Sequence, residues 1–310
     1  MILTVTPNPA LDLTWHVERL RVGETHRADA GAVRAGGKGL NVARVAHAQG
    51  ASVHAITTVG GRTGDEFAEE LRRSGIPHSL IPVAADTRRS IAVVDAALGD
   101  TTVINERGVN PSDEEWGALL AAVVDSLPSA RVLVVSGSLP PGAPESLLPL
   151  LIRVGRDAGV PVIVDTSGPA LLRAADAGAS VLKPNRAELA EATGIADPVA
   201  GARSLIERGT ELVLLSLGAE GMLAVTASDL VHARLDEPLA GNPTGAGDAA
   251  VAACTVLYAE GERDAEQILR RATAWSAAAV LMPLAGDISP RWAELASHLR
   301  VSRPVPKDFS

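Results

Sequence analysis

The sequence predicts an α/β protein with an open, mostly parallel sheet covered by helices on both faces. Two observations carry that prediction. Short β-branched runs recur along most of the chain, and the amphipathic stretches between them open with recognisable helix-start signals. A third is size: 310 residues with 46% hydrophobic and 21% charged side chains fill one large core, split at most into two domains.

Taken in order, the predicted strands are residues 2–6, 53–59, 132–136, 160–165, 181–183, 212–216 and 222–225. Thr63 and Glu66 have capping-box spacing ahead of Phe67 and Leu71, and Ser112 and Glu115 repeat it ahead of Trp116, Leu119 and Leu120. Ser289 followed by Pro290 predicts the N-cap and first position of the last helix. Residues 11–35 and 86–107 break this rhythm, because both alternate like half-exposed strands and neither contains a helix pattern. In the second, Ile91 and Val93 stand before, and Val103 and Ile104 after, a predicted turn at Leu98-Gly99-Asp100. If the two stretches pair, they form a small β-sheet lid able to shield a reaction from water; two ordinary surface hairpins are the alternative. The expected organisation is a body of residues 1–10, 36–85 and 108–301, a lid of 11–35 and 86–107, and a loosely held tail of 302–310.

Composition excludes several functions. A net charge of −9 and only 2% aromatic residues leave neither the basic face nor the stacking rings of a nucleic-acid partner. The single cysteine, Cys254, rules out an internal disulfide or a thiolate zinc cluster and fits a reducing cytoplasm. The start, Met1 to Val5, lacks the basic n-region of a signal peptide, and no apolar run approaches the roughly 20 residues of a membrane span. A cytoplasmic protein without membrane partners is the expectation. Only three of the 28 basic residues are lysines, Lys38, Lys183 and Lys307, so the position of each is informative.

Gly241-Asn-Pro-Thr-Gly245-Ala246-Gly247-Asp248 leads into an apolar helical run. Small residues ahead of a helix let backbone amides approach an anion, and the helix start adds free N–H groups and a favourable dipole. Asp248 then falls in the first turn, as a cap or as a base aimed at the same anion. Gly245-x-Gly247-x-x-Ala250 imitates a dinucleotide fingerprint, but a turn-rich segment precedes it where that fingerprint needs a strand. A Walker A loop is excluded because Gly37-Lys38 is followed by Gly39. Ala35-Gly36-Gly37-Lys38-Gly39-Leu40-Asn41 is a second glycine turn running into a helix. Its ammonium and amide suit a polyhydroxylated anion, against the ordinary alternative of a surface lysine. Asp12 would lie at the carboxyl edge of the first strand, able to accept sugar hydroxyls or merely to solvate a turn. Residues 136–142 and 164–168 are further strand ends opening into polar loops. Lys183-Pro184-Asn185-x-x-Glu188 offers an ammonium, an amide and a carboxylate to nucleotide phosphates and hydrated Mg²⁺, and Ser216-Leu217-Gly218-x-x-Gly221 ends the next strand.

In this order, Asn-Pro-Ala-Leu-Asp, Gly-Gly-Lys-Gly-x-Asn, Ser-Gly-Ser-Leu-Pro, Lys-Pro-Asn-x-x-Glu, Ser-Leu-Gly-x-x-Gly and Thr-Gly-Ala-Gly-Asp resemble the motifs of the ribokinase-like (PfkB) carbohydrate kinases, from Thr4 to about Ala279. The chain is most similar to the phosphosugar branch, which contains 1-phosphofructokinase and tagatose-6-phosphate kinase. The resemblance implies a ribokinase-like three-layer αβα, Rossmann-like body with a β-lid. It also implies ATP and Mg²⁺ as cofactors and phosphorylation of a hexose monophosphate. Fructose 1-phosphate is the expected acceptor; tagatose 6-phosphate, fructose 6-phosphate, or an unphosphorylated sugar or nucleoside are the alternatives. By the same resemblance Asp248 is the base, and the amides of Gly245, Ala246 and Gly247 are the anion hole. Asp12, Gly37, Lys38 and Asn41 hold the sugar, and Arg88, Ser90 and Ser138 meet its phosphate. Lys183, Asn185, Ser216, Gly218, Gly221 and Gly247 line the ATP side, with Glu188 reaching Mg²⁺ through water. A homodimer through the lid is a further expectation. Arg89 and Arg107 are extra cations nearby, and Arg107 and Val109 stand where the phosphofructokinase lid segment usually has prolines.

Overall fold

Val132 and Val134 pack into one hydrophobic core while Leu133 and Val135 pack into another. Ile163 and Val181 likewise face the first core, and Val162, Val164 and Leu182 face the second. Side chains alternate across a strand, so uninterrupted apolar runs require a sheet buried on both faces. A computed structural model, which describes residues 1–237 and 239–304, shows how the chain meets that requirement.

The strands are β1 (Ile2–Thr6), β2 (Ala10–Val17), β3 (Ala32–Gly36), β4 (Val53–Val59), β5 (His78–Pro82), β6 (Arg88–Asp95), β7 (Asp100–Asn105), β8 (Val132–Ser136), β9 (Val162–Asp165), β10 (Val181–Leu182), β11 (Leu212–Ser216), β12 (Met222–Val225), β13 (Leu230–Leu235) and β14 (Leu299–Ser302). The α-helices are α1 (Lys38–Ala48), α2 (Gly61–Arg73), α3 (Asp113–Ser126), α4 (Leu147–Asp157), α5 (Pro169–Asp176), α6 (Arg186–Thr193), α7 (Pro198–Arg208), α8 (Ala246–Glu260), α9 (Ala265–Val280) and α10 (Trp292–Ser297). The main sheet has the order β14-β13-β12-β11-β10-β9-β8-β1-β4-β5, parallel from β11 to β5 and antiparallel from β11 to β14. Helices α1, α2, α8 and α9 cover one face, and α3, α4, α5 and α7 cover the other. This is the ribokinase-like three-layer body.

β1 is central, between β4 and β8, so strand order reverses there and leaves a crevice at its carboxyl end. Over that crevice the two irregular stretches combine into a second sheet, β3-β2-β6-β7, with β2 and β6 parallel. The turn joining β6 to β7 spans residues 96–99 and so ends one residue earlier than expected, because Asp100 already pairs with Asp95.

Several local expectations are corrected. The strand expected at 160–165 begins at Val162, and that at 181–183 ends at Leu182. Thr63 does not cap α2: the helix starts at Gly61 behind Gly60, and Thr63 is buried inside it. Tertiary contacts set this start, since Gly60 accepts from the Thr87 amide and donates to the Thr87 hydroxyl. Ser289 does not cap α10, whose N-cap is Arg291; the Ser289 carbonyl instead closes a turn with the Trp292 amide. Sequence reasoning missed β5, β13 and β14. Ser302, the first residue of the expected tail, is the last residue of β14, and residues 305–310, with Lys307, lie outside the described residues. Among the described residues no helix is long and apolar enough to cross a membrane.

The Ser112–Glu115 capping box does form, and Glu115 also accepts from the Ala84 amide at 2.6 Å. Glu115→Ala is therefore expected to cost about 1 kcal/mol of stability, whereas Glu66→Ala, at the same spacing but exposed, should stay within about 0.5 kcal/mol. Urea midpoints of the two variants check this contrast.

Candidate active site

Five parallel strands deliver polar groups to one crevice. β1 leads through Asn8 to Asp12 on β2, and β8 leads into Ser138. β9 ends at Asp165, β10 runs into Lys183, and β11 ends at Ser216. All are carboxyl ends, the side on which open α/β sheets bind ligands. With the N-termini of α1 and α8 they enclose a polar cavity of about 710 Å³.

Asp248 is the third residue of α8 and is only 6% exposed. Asn41, on α1, donates to its Oδ2 at 2.8 Å. Burial pushes the Asp248 carboxyl up to about 7, with Asp165 adding to the rise while Lys38, the Asn41 hydrogen bond and Lys183 oppose it. Lys38 Nζ lies 3.3 Å from Asp165 Oδ2 and 3.9 Å from Glu188 Oε1. Asp165 in particular holds the Lys38 ammonium well above the usual lysine range, so it stays charged. A buried carboxyl balanced near neutrality beside a fixed cation is the arrangement expected of a general base.

The start of α8 presents backbone amides to the cavity. Gly245 caps the helix with φ 84°, and a β-carbon there would sit 2.9 Å from Ala285 Cα. Glycine therefore satisfies both the left-handed backbone and the close approach. The amides of Gly245, Gly247 and Asp248 have no hydrogen-bond partner among the described residues, whereas the Ala246 amide donates to the Pro243 carbonyl. Of the three expected anion-hole amides, Ala246 is thus committed within the loop.

Asp12 pairs in register with Arg34 on β3 and Ser90 on β6. Burial pushes its carboxyl up to about 6, against Arg88, the Ser90 hydroxyl, Arg34 and Arg44. A side chain at Gly36 would collide with this carboxylate, so glycine at 36 makes room for Asp12. Arg88 lines the cavity but spends Nε and Nη2 on the Asn8 carbonyl and Nη1 on the Glu106 carbonyl, which leaves two N–H donors free. Arg107 also lines the cavity, and its carbonyl accepts from Asn8 Nδ2.

A second cavity of about 500 Å³ opens beside the first. Gly218, Gly221 and Ala246 line it, and Met222, Leu235, Val280 and Ala277 give it apolar walls. Asn185, Ser216 and Gly247 line both cavities and form the seam between them. Lys183, expected on the second side, lies in the first; its ammonium is buried 3.9 Å from Asp165 Oδ1, beneath Gly247. Glu188 is also partly committed: its Oε2 accepts from the Asn185 amide in a capping box. That leaves Oε1 toward Lys38. Gly37, Ser90 and Ser138 line the polar cavity as expected. Sequence reasoning placed Asp165 in a strand end opening into a polar loop but gave it no role; it joins Lys38 to Lys183. The same reading missed Asn8 and Gly36.

Comparisons with known proteins show what the whole chain is similar to. A model of the pfkB family of carbohydrate kinases matches residues 8–292. The chain is 35% identical to a 1-phosphofructokinase of Xanthomonas campestris, over 98% of both chains. It is 39% identical to a 1-phosphofructokinase of Haloferax volcanii, over 86% of this chain and 87% of that one. The crystal structure of a possible 1-phosphofructokinase from Thermotoga maritima superposes with a TM-score of 0.90 at 26% identity, covering 98% of this chain and all of the other.

The electrostatics make one prediction independent of any substrate. The Asp248 carboxyl should titrate near pH 7 in the free protein, and Lys38→Met, which removes the largest opposing charge, should move that midpoint upward. Carboxyl ¹³C NMR checks both; an unchanged or lowered midpoint would contradict the assignment.

Proposed function

The chain belongs to the pfkB family of carbohydrate kinases, and from that premise we propose that it transfers the γ-phosphoryl group of ATP to a hexose monophosphate, with fructose 1-phosphate as the acceptor. One observation supports this reading above the others. A polar cavity carrying Lys38, Arg88 and Asp12 meets an apolar cavity at Gly247, and the buried Asp248 stands next to that seam. A sugar phosphate fits the first and an adenine nucleotide the second, so the transferred group crosses at the start of α8. The relatives from Xanthomonas campestris and Haloferax volcanii, at 35% and 39% identity, are 1-phosphofructokinases, which favours fructose 1-phosphate.

Phosphoryl transfer proceeds through a loose transition state, so catalysis is chiefly alignment and charge stabilisation. In the proposed mechanism Asp12 accepts hydrogen bonds from the sugar hydroxyls, and Arg88 uses its two free donors on the existing phosphate. Asp248 takes the proton of the attacking hydroxyl as oxygen bonds to the γ-phosphorus and ADP leaves. The free amides of Gly245 and Gly247 meet the charge that grows on the transferring group. Lys38, locked to Asp165, keeps the ionised form of Asp248 within reach without donating its own proton. Glu188, whose Oε1 faces the cavity toward Lys38, would hold a Mg²⁺ ion through water, and such an ion would neutralise charge on the nucleotide phosphates. The apolar walls from Val280, Ala277 and Leu235 suit an adenine bound without aromatic stacking.

The lid has a partner of its own in this proposal. Val33, Val103 and Ile104 are exposed on its strands, and β7 is an open edge. An apolar, unpaired sheet edge favours pairing with a second copy of the same lid. Sedimentation velocity should return a dimer, and Ile104→Lys should shift it toward monomer.

The deciding experiment is a coupled ADP-release assay with fructose 1-phosphate, fructose 6-phosphate, tagatose 6-phosphate, fructose and ribose. The highest kcat/KM is expected for fructose 1-phosphate. A tenfold margin corresponds to about 1.4 kcal/mol, within the range of one or two lid contacts. In the same assay Asp248→Asn should lose about 10² to 10⁴-fold in kcat with little change in sugar-phosphate KM. A variant with near-normal kcat removes Asp248 from the proton transfer.

A further inference from the structure

Most of the contacts that hold the lid's first strands to the body involve neighbouring layers, but Arg34 reaches a segment some 250 residues away. Its Nη1 donates to the Ala285 carbonyl at 2.7 Å and to Asp287 Oδ2 at 2.9 Å. Both side chains are mostly shielded, at 20% and 33% exposure, so this ion pair is less screened than the surface pairs elsewhere. The loop it grips is not passive. Ala285 packs so close to Gly245, the cap of the anion-cradle helix, that a β-carbon on Gly245 would lie 2.9 Å from both its Cα and its Cβ. A β-carbon at the next residue, Gly286, would sit 3.3 Å from Asn41 Oδ1 and 2.9 Å from Arg44 Cδ. Asn41 is the side chain that holds Asp248. On the lid side, Arg34 stands directly across β2 and β3 from Asp12. The neighbouring residue Ala35 is tied down separately, its amide donating to Glu70 and its carbonyl accepting from Arg44. That second tie reaches the 283–287 loop only through Arg44, which packs against Gly286 and feels the Asp287 charge.

We propose that Arg34 is a positioning residue that latches the lid to the 283–287 loop, so that Asp12 on the sugar side and the Gly245 amide on the transfer side keep one fixed separation. The role in catalysis rests on the kinase reading above; the latch itself does not. Nothing else described joins the lid sheet to this loop through a charged pair. The groups facing Asp12 are Arg34 on β3, Arg44 on α1 and Arg88 with Ser90 on β6. Lys38, Glu106, Arg107, Asp165, Glu188 and Asp248 share its cavity.

Arg34→Gln and Asp287→Asn, each in the full chain, test the proposal by two routes. Hydrogen exchange reads the latch without any substrate. Arg34→Gln should speed exchange about tenfold at the hydrogen-bonded amides of Thr244 and Ala246 and of Met282 and Ser289, which flank the 283–287 loop, while those of α4 on the opposite face stay unchanged. Steady-state kinetics read the consequence: kcat should fall about tenfold with KM for ATP within twofold, the signature of misalignment. The pH dependence of sugar-phosphate KM adds a sign that a merely structural role would not produce. Removing the Arg34 cation raises the Asp12 midpoint, so Arg34→Gln should carry the acid limb upward, while Asp287→Asn, whose carboxylate is not among the groups acting on Asp12, should leave it in place. Asp287→Asn keeps the bond to the Ala285 carbonyl and serves if Arg34→Gln folds poorly. Uniform faster exchange, unchanged exchange in both segments, or an acid limb unmoved in Arg34→Gln overturns the latch. Local exchange as expected, but with a wild-type protein inactive on every sugar in the panel, overturns the kinase reading and leaves the latch standing.

Discussion

Asp248 is a carboxyl buried within a short distance of a second buried carboxylate, and the rest of the site is arranged around making that tolerable. Two acids in a low-dielectric crevice disfavour each other's ionisation, and burial alone would hold Asp248 protonated. Lys38 and Lys183 converge on Asp165 from α1 and from the end of β10, which leaves Asp248 balanced close to neutrality. Without those ammonium groups the residue would be a poor proton acceptor; without the burial it would be too weak a base to accept a hydroxyl proton. The scarcity of lysine makes sense here, because a compact point charge fits beneath a glycine turn where a planar guanidinium would crowd it.

That electrostatic balance depends on the fold at one place, the reversal of strand order at β1. Strands on either side of β1 point their carboxyl ends into the same crevice, so Asp12, Asp165, Lys183 and Ser216 arrive there from four separate segments. The lid then closes over them because β1 continues directly into β2 through Asn8, whose carbonyl and amide bind Arg88 and the Arg107 carbonyl. Body and lid therefore share residues rather than merely touching. Close backbone approach does the rest: Asp12 fits only because residue 36 has no side chain, and α8 begins where it does because Gly245 can turn left-handed against Ala285.

How much of this was legible in the chain varies with the range of the interaction responsible. The buried strands were readable because an unbroken apolar run needs two covered faces whatever surrounds it. The strand β5 was not, since its residues are half-exposed and it exists only by pairing with β4. β13 and β14 likewise extend the sheet only by antiparallel pairing beyond β12. Identical capping-box spacing produced a cap at Ser112 and none at Thr63, because at the latter the Thr87 backbone and hydroxyl had already claimed Gly60. Arg88 was recognised as a cation for the site, but its use of three nitrogens on carbonyls was invisible without the lid in place.

What the sequence by itself determined is the chemistry available: glycine turns opening two helices, a carboxylate in the first turn of one, an ammonium at the start of the other, and an alternating α/β rhythm. These are local properties, set by which backbone angles a residue tolerates and how its neighbours alternate. Only the tertiary structure decided how those groups are spent. It placed Lys183 with Asp165 in the polar cavity, engaged Glu188 and the Ala246 amide in local caps, and tied Arg34 to Asp287 across the length of the chain. The reason is that a hydrogen-bond donor or a charge has a role only relative to its partner, and those partners come from strands that the sequence separates and the sheet brings together.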